Sequence, residues 1–149
     1  MNKKTFLIAA VTFTASCSQN KDVSPSGVAF EKEFLDHHLR DSLIERVINY
    51  GDPIAYKDLS GIYFRSGMEQ EFTGYALRMA NDYKSGEACY DVWALLSSKK
   101  DESMNNALAN YYLLRAAELK SEQATYTIRK VFGKDSVPSS SEYLKQSFK

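Results

Sequence analysis

The chain has 149 residues, enough for one domain with its own core. Lys plus Arg and Asp plus Glu stand at 19 each, so the basic excess of a nucleic-acid binder is missing. Aromatic residues reach 13%, with ten tyrosines, and a tyrosine packs its ring while keeping its hydroxyl wet, so most of them read as structural.

Residues 1–16 read as a secretory signal. Lys3 and Lys4 give the positive start, Phe6 to Phe13 the mainly apolar run, and Thr14-Ala15-Ser16 the small residues before Cys17. The run is far short of the ~20 residues that a spanning helix needs. A cysteine directly after small residues resembles a bacterial lipobox, with Thr14 in place of the usual leucine. That resemblance implies diacylation of Cys17 (the palmitate-type anchor), which becomes the new N-terminus. Residues 17–27 carry Pro25 and Gly27 in a polar stretch and read as a flexible tether. Removing Lys3 and Lys4 leaves 17 basic against 19 acidic residues, or −2, so the lipid and not the domain surface is expected to hold the protein at the membrane.

The helical domain is expected to run over 28–149. The pattern predicts one helix from Val28 to Tyr50, with Phe30, Phe34, Leu35, Leu39, Leu43, Ile44, Val47 and Ile48 on one stripe. Asp52 then Pro53 open a second helix, which Ser66-Gly67 ends near Arg65. Further helices are expected at Glu69–Asp82, Glu87–Leu96, Met104–Lys120 and Ser121–Phe132, and a short capping helix at Ser141–Phe148. Gly74 inside the third is read as permitting a close neighbour.

These helices carry one pattern three times. Ile44, Val47, Ala55, Leu59 and Tyr63 are spaced by three, eight, four and four residues. Leu77, Ala80, Ala88, Val92 and Leu96 repeat that spacing, as do Leu113, Ala116, Ala124, Ile128 and Phe132. The alanines lie 33 and then 36 positions apart, and a period in the thirties marks stacked helical hairpins. Residues four apart share a helical stripe, so each alanine lets a neighbouring backbone come close while the larger residues fill the space beyond. Asn49–Asp52, Lys84–Gly86 and Leu119–Ser121 are short polar links of the kind that join antiparallel helices.

Ala107-Leu-Ala-Asn-Tyr-Tyr112 with Leu114-Arg-Ala-Ala-Glu118, and Ala55, Leu59, Tyr63 and Gly67, resemble the Sel1-like branch of the tetratricopeptide superfamily. The resemblance covers about 51–133, leaving 134–149 as a C-terminal cap. Leu96-Ser97-Ser98-Lys99 departs from it, and the third unit stops after its first helix. It implies an all-α fold, an α/α solenoid (superhelix) of about three hairpins, that binds proteins without catalysis.

The chemistry-bearing residues fit that expectation. Asp36, His37, His38 and Asp41 hold both histidines, but adjacent histidines point about 100° apart on a helix and cannot both grip one ion. A solvated His37 and a partly packed His38 are expected. Cys89 reads as a packed thiol. Glu31 with Glu33, and Glu69 with Glu71, read as solvated faces rather than glycosidase acids. No catalytic set, metal site, cofactor motif or phosphate loop is expected.

Tyr56, Tyr90, Trp93 and Tyr126 lie off the alanine stripes and are the candidate protein-binding anchors, with gap-filling between repeats as the alternative for the tyrosines. The expectation is a periplasm-facing lipoprotein of a Gram-negative envelope, more readily in the outer than the inner membrane. Its partner would be an unidentified protein, as for an adaptor or a toxin-immunity protein. The competing expectation is an envelope hydrolase with an acidic or histidine-containing cleft.

Overall fold

A computed structural model describes residue 32 and residues 34–98, 103–133 and 137–147, with side chains of the fifth helix described from residue 106. The signal, Cys17, the tether, Glu31 and Glu33 lie outside the described residues, as does most of the stretch 28–33. Among the described residues seven helices follow one another: α1 (His37–Tyr50), α2 (Pro53–Arg65), α3 (Thr73–Asn81), α4 (Gly86–Ser97), α5 (Ser103–Glu118), α6 (Glu122–Phe132) and α7 (Ser140–Ser147). The fold is all-α, and most packing is between sequential neighbours. Helix α1 packs on α2, α3 on α4 and α5 on α6; α4 against α5 is the most extensive interface, and α1–α3, α4–α6 and α5–α7 also meet.

Three of these connections share one construction. Gly51, Lys84 and Lys120 adopt left-handed backbone, with φ of 60°, 57° and 64°. The next residue in each case is extended and caps the following helix. Asp52 accepts from the Ile54 and Ala55 amides at 2.8 and 3.1 Å, Ser85 from Ala88 at 3.2 Å and Ser121 from Ala124 at 3.4 Å. The cap's own N–H closes back on the preceding helix: Asp52 to Arg46 O, Ser85 to Met79 O and Ser121 to Ala116 O. Each cap contributes ~1 kcal/mol. Three residues beyond each cap stand Ala55, Ala88 and Ala124, all fully buried.

The links also stack on each other. A Cβ added at Gly51 would lie 2.1 Å from the Tyr83 ring, and one at Gly86 would lie 3.1 Å from the Leu119 Cβ. The residues five before Ala88 and Ala124 therefore cover the preceding links: Tyr83 the first and Leu119 the second. Tyr83 is pinned there by its hydroxyl, which donates to Ile48 O at 2.8 Å beside Arg78 Nε at 3.0 Å. Tyr50 holds the same repeat position at the head of the row and is 72% exposed.

The structure changes two expected boundaries and the reading of Gly74. The helix foreseen over Val28–Tyr50 is interrupted at Asp36, which turns extended and caps α1 by accepting from Leu39 N at 3.0 Å. An aspartate side chain competes for backbone donors, which is why it starts helices more readily than it continues them. The helix foreseen from Glu69 begins only at Thr73, whose amide and hydroxyl both bond Gln70 O. Phe72 just before it is fully buried, with ring centroids 5.3 Å from Tyr56 and 5.6 Å from Tyr63. Gly74 receives no close neighbour: a Cβ there meets nothing within 4 Å. Helix α7 covers the end of the row, as Ser140 donates from its amide and hydroxyl to the Glu118 carboxylate at 2.7 and 2.8 Å.

A left-handed lysine is strained by ~1 kcal/mol relative to glycine. Lys120→Gly is therefore expected to raise stability by a few tenths to ~1 kcal/mol. Gly51→Ala is expected to lower it by more than ~1 kcal/mol, because the methyl also collides with the Tyr83 ring. Urea midpoints at unchanged m-value check both signs.

Candidate functional site

Stacked links bring the N-terminal ends of α2, α4 and α6 side by side. A cavity of about 450 Å³ runs along them, lined by Pro53, by Ser85 to Glu87 and by Leu119 to Gln123. Glu87 and Gln123 also line a smaller hollow of about 200 Å³ that continues between the helices to Tyr56, Lys57, Ser60 and Asp91. The two adjoin at Glu87 and Gln123, beside α2, α4 and α6.

Asp91 is the focus of the inner hollow. It sits on α4 three residues after Ala88, so it turns toward α2. Its Oδ2 accepts from the Tyr56 hydroxyl at 2.7 Å and from Ser60 Oγ at 3.4 Å. Burial pushes the Asp91 carboxyl up to about 6, against the pull of those two hydroxyls, and Glu87 one turn earlier pushes the same way. Burial and then the Asp91 charge push the Tyr56 hydroxyl upward, so its proton stays on the phenol as the donor of the short bond. Lys57 and Gln123 complete the walls from α2 and α6.

The four expected anchors do not share one open face. Tyr56 is 2% exposed, its ring 5.3 Å from that of Phe72 and its hydroxyl bonded to Asp91, so it is not on a free surface. The position one after the repeat alanine is turned toward the next hairpin, and the ring is buried there. Tyr90 is half-buried and its hydroxyl lies 3.3 Å from Thr127 Oγ1 of α6. Trp93 is half-buried beside it, with ring centroids 5.1 Å apart. Tyr126 is 68% exposed, with the Lys130 ammonium 4.5 Å from its ring centroid. Tyr90 and Tyr126 both stand two residues after a repeat alanine, so the contrast between them has a simple cause. Tyr90 has α6 to reach, whereas Tyr126 lies on the last helix of that row.

Elsewhere, His37 and His38 are both exposed, His38 more so than the partly packed position expected, and Arg40 Nη2 lies 2.7 Å from His37 Nδ1. No three His, Cys, Asp or Glu side chains converge on a metal-sized site among the described residues. Cys89 is fully buried, and burial pushes its thiol up to about 11, which keeps it protonated and packed. Glu69 is only half-buried, yet its Oε2 is enclosed and lacks a hydrogen-bond partner.

Asp91, Ser60, Glu87 and Gln123 were not among the expected site residues. The signal was present for Asp91: it is the one charge inside Ala88–Leu96, an otherwise mainly apolar run. Comparison of the chain with protein-family models, with curated proteins and with solved structures finds no match.

The folded Asp91 binds a proton near pH 6, whereas its ordinary value is 3.8. Between these values the folded state holds more protons than the unfolded one, so this group's contribution falls as pH rises from about 4 to about 6 and is level above. Asp91→Asn keeps an acceptor for Tyr56 and removes that slope. Urea midpoints at pH 4, 5, 6 and 7 should show a flatter profile for the variant, with stability at pH 7 equal to or above that of the parent.

Proposed function

We propose that this chain is a Sel1-like α/α-repeat module, lipid-anchored in a bacterial envelope through Cys17, that binds another protein without catalysis. The observation that carries the reading is the link built three times over. Each copy has a left-handed residue, a side-chain cap and a buried alanine in the same places, at offsets of 33 and 36 residues. Its side-chain hydrogen bonds follow that period. Tyr56 to Asp91, Tyr90 to Thr127, Asn81 to Tyr112 and Asn110 to Tyr143 span 35, 37, 31 and 33 residues, one repeat each. Repeats that contact mainly their neighbours leave long outer faces free for a partner. The groove across α2, α4 and α6 is the binding face in this reading, and an immunity protein or an envelope adaptor is the role that suits it.

Among the described residues no helix is long and apolar enough to cross a membrane. The hydrolase reading draws on one observation, the acidic character of the inner hollow, where Glu87 and Asp91 stand one turn apart. Binding is preferred because Asp91 Oδ2 is engaged by the Tyr56 and Ser60 hydroxyls, a tie between the side chains of α2 and α4.

Affinity purification of the full chain from envelope extracts, followed by mass spectrometry, is expected to yield a stoichiometric protein partner. Filling the groove with Gln123→Trp should reduce capture tenfold or more at an unchanged helical signal, while Tyr126→Ala leaves capture intact. Capture that survives the tryptophan removes the groove from the proposal. Radiolabelled palmitate should enter the parent chain and not Cys17→Ser; equal labelling of both would remove the anchor. Turnover of cell-wall glycan or peptide by the purified chain, lost in Asp91→Asn, would overturn the non-catalytic reading.

A further inference from the structure

Three side chains of the second helix pair reach back onto the first. The Phe72 ring lies 5.3 Å from that of Tyr56, and the Tyr83 ring lies over Gly51 with its hydroxyl donating to Ile48 O at 2.8 Å. Asp91 accepts from Tyr56 at 2.7 Å and from Ser60 at 3.4 Å. Leu39, Tyr50 and Asp58 stand 33 residues before these three, at the same places in the first pair. All are exposed, Leu39 at 42%. Leu39 and Asp58 line a hollow of about 250 Å³ with Leu43, Ile62 and Arg65. The other end of the row is open in the complementary way. Tyr56 and Cys89, one residue after their alanines, are buried, whereas Thr125 at that place on α6 is exposed. Arg129, the counterpart of Ser60, is exposed as well, and so is Tyr126. Helix α7 packs on α5 and leaves this face uncovered. A hollow of about 480 Å³ lies along it, lined by Glu122, Thr125, Tyr126, Arg129 and Lys130. End units that face water carry polar outer faces. Here the first pair exposes Leu39, Tyr50 and Ile54 instead.

We propose that a second copy of this chain docks end to end on the first. The Leu39, Tyr50 and Asp58 face of one copy seats on the Thr125, Tyr126 and Arg129 face of the other, in the register that already joins the α3–α4 pair to the α1–α2 pair. This rests on the repeat reading and goes beyond it, since the partner there is another protein. The occupant is fixed by continuity: the same repeat positions make this contact once within the chain. Asp58 then faces Thr125 and Arg129 as Asp91 faces Tyr56 and Ser60, and a guanidinium strengthens the bond to the carboxylate. The two faces lie at opposite ends of the row, so the contact is heterologous and builds rows of copies, not closed two-fold pairs.

Sedimentation velocity of the full chain in detergent is expected to show species growing past the dimer, with a Kd below ~100 μM. Leu39→Arg at one end and Tyr126→Asp at the other should each weaken association tenfold or more at an unchanged helical signal. Mixed together, the two variants should form a one-to-one pair and nothing larger, because each keeps the face that the other has lost. Asp58→Arg should weaken association too, and Arg129→Glu added to the same chain should restore it. A chain that stays monomeric at ~100 μM, assembly that stops at two, a mixture of variants that does not pair, or a missing rescue would overturn the proposal. So would a monomer that captures an envelope protein and loses it in Leu39→Arg or Tyr126→Asp. The faces then belong to that partner, and the protein-binding reading stands. Rows that form and rescue as expected, with no other protein captured, keep this proposal and remove that reading.

Discussion

The structure depends on how a helix can be stopped and restarted within about three residues. A left-handed residue turns the chain, the next side chain caps the new helix, and the cap's own amide ties it to the old one. This satisfies orphan backbone groups on both sides of the link at once. It also fixes the angle at which the second helix leaves, so the alanine three residues on always arrives at the same place against its neighbour. Fully buried Ala55, Ala88 and Ala124 are the consequence. A larger residue at any of them would hold the helices apart.

The three links lie along one edge. Tyr83 lies on Gly51 and Leu119 lies on Gly86, so the second link is seated against the first and the third against the second. The helix ends leave two adjoining hollows on the side of α2, α4 and α6. Architecture and candidate site are thus one feature: the groove exists because the links stack. The Asp91 bond to Tyr56 adds a polar tie between α2 and α4 in the same place. It carries an electrostatic cost, as burial holds the carboxyl up to about 6.

The sites were less legible than the helices. Cys89 was readable as a packed thiol because it follows a stripe alanine on an apolar helix. Tyr56 was not readable as buried, because a tyrosine one residue off the stripe faces either solvent or the next helix, and sequence spacing does not say which. Asp91 was visible as a lone charge in an apolar run, but its partners stand 31 and 35 residues away, beyond any local pattern.

The sequence alone determined the helices, their links and the small residues between them. Those features follow from periods of three and four residues and from capping chemistry, which act within a turn or two of the chain. It also held the lysines at positions 84 and 120, but only the folded links reveal that both take left-handed backbone where the first link has glycine. Tertiary structure decided which tyrosine stays open. Tyr90 and Tyr126 hold the same repeat position, and one is half-buried while the other is 68% exposed. The difference lies in whether another helix comes next in the row, a relation between distant segments that no local spacing encodes.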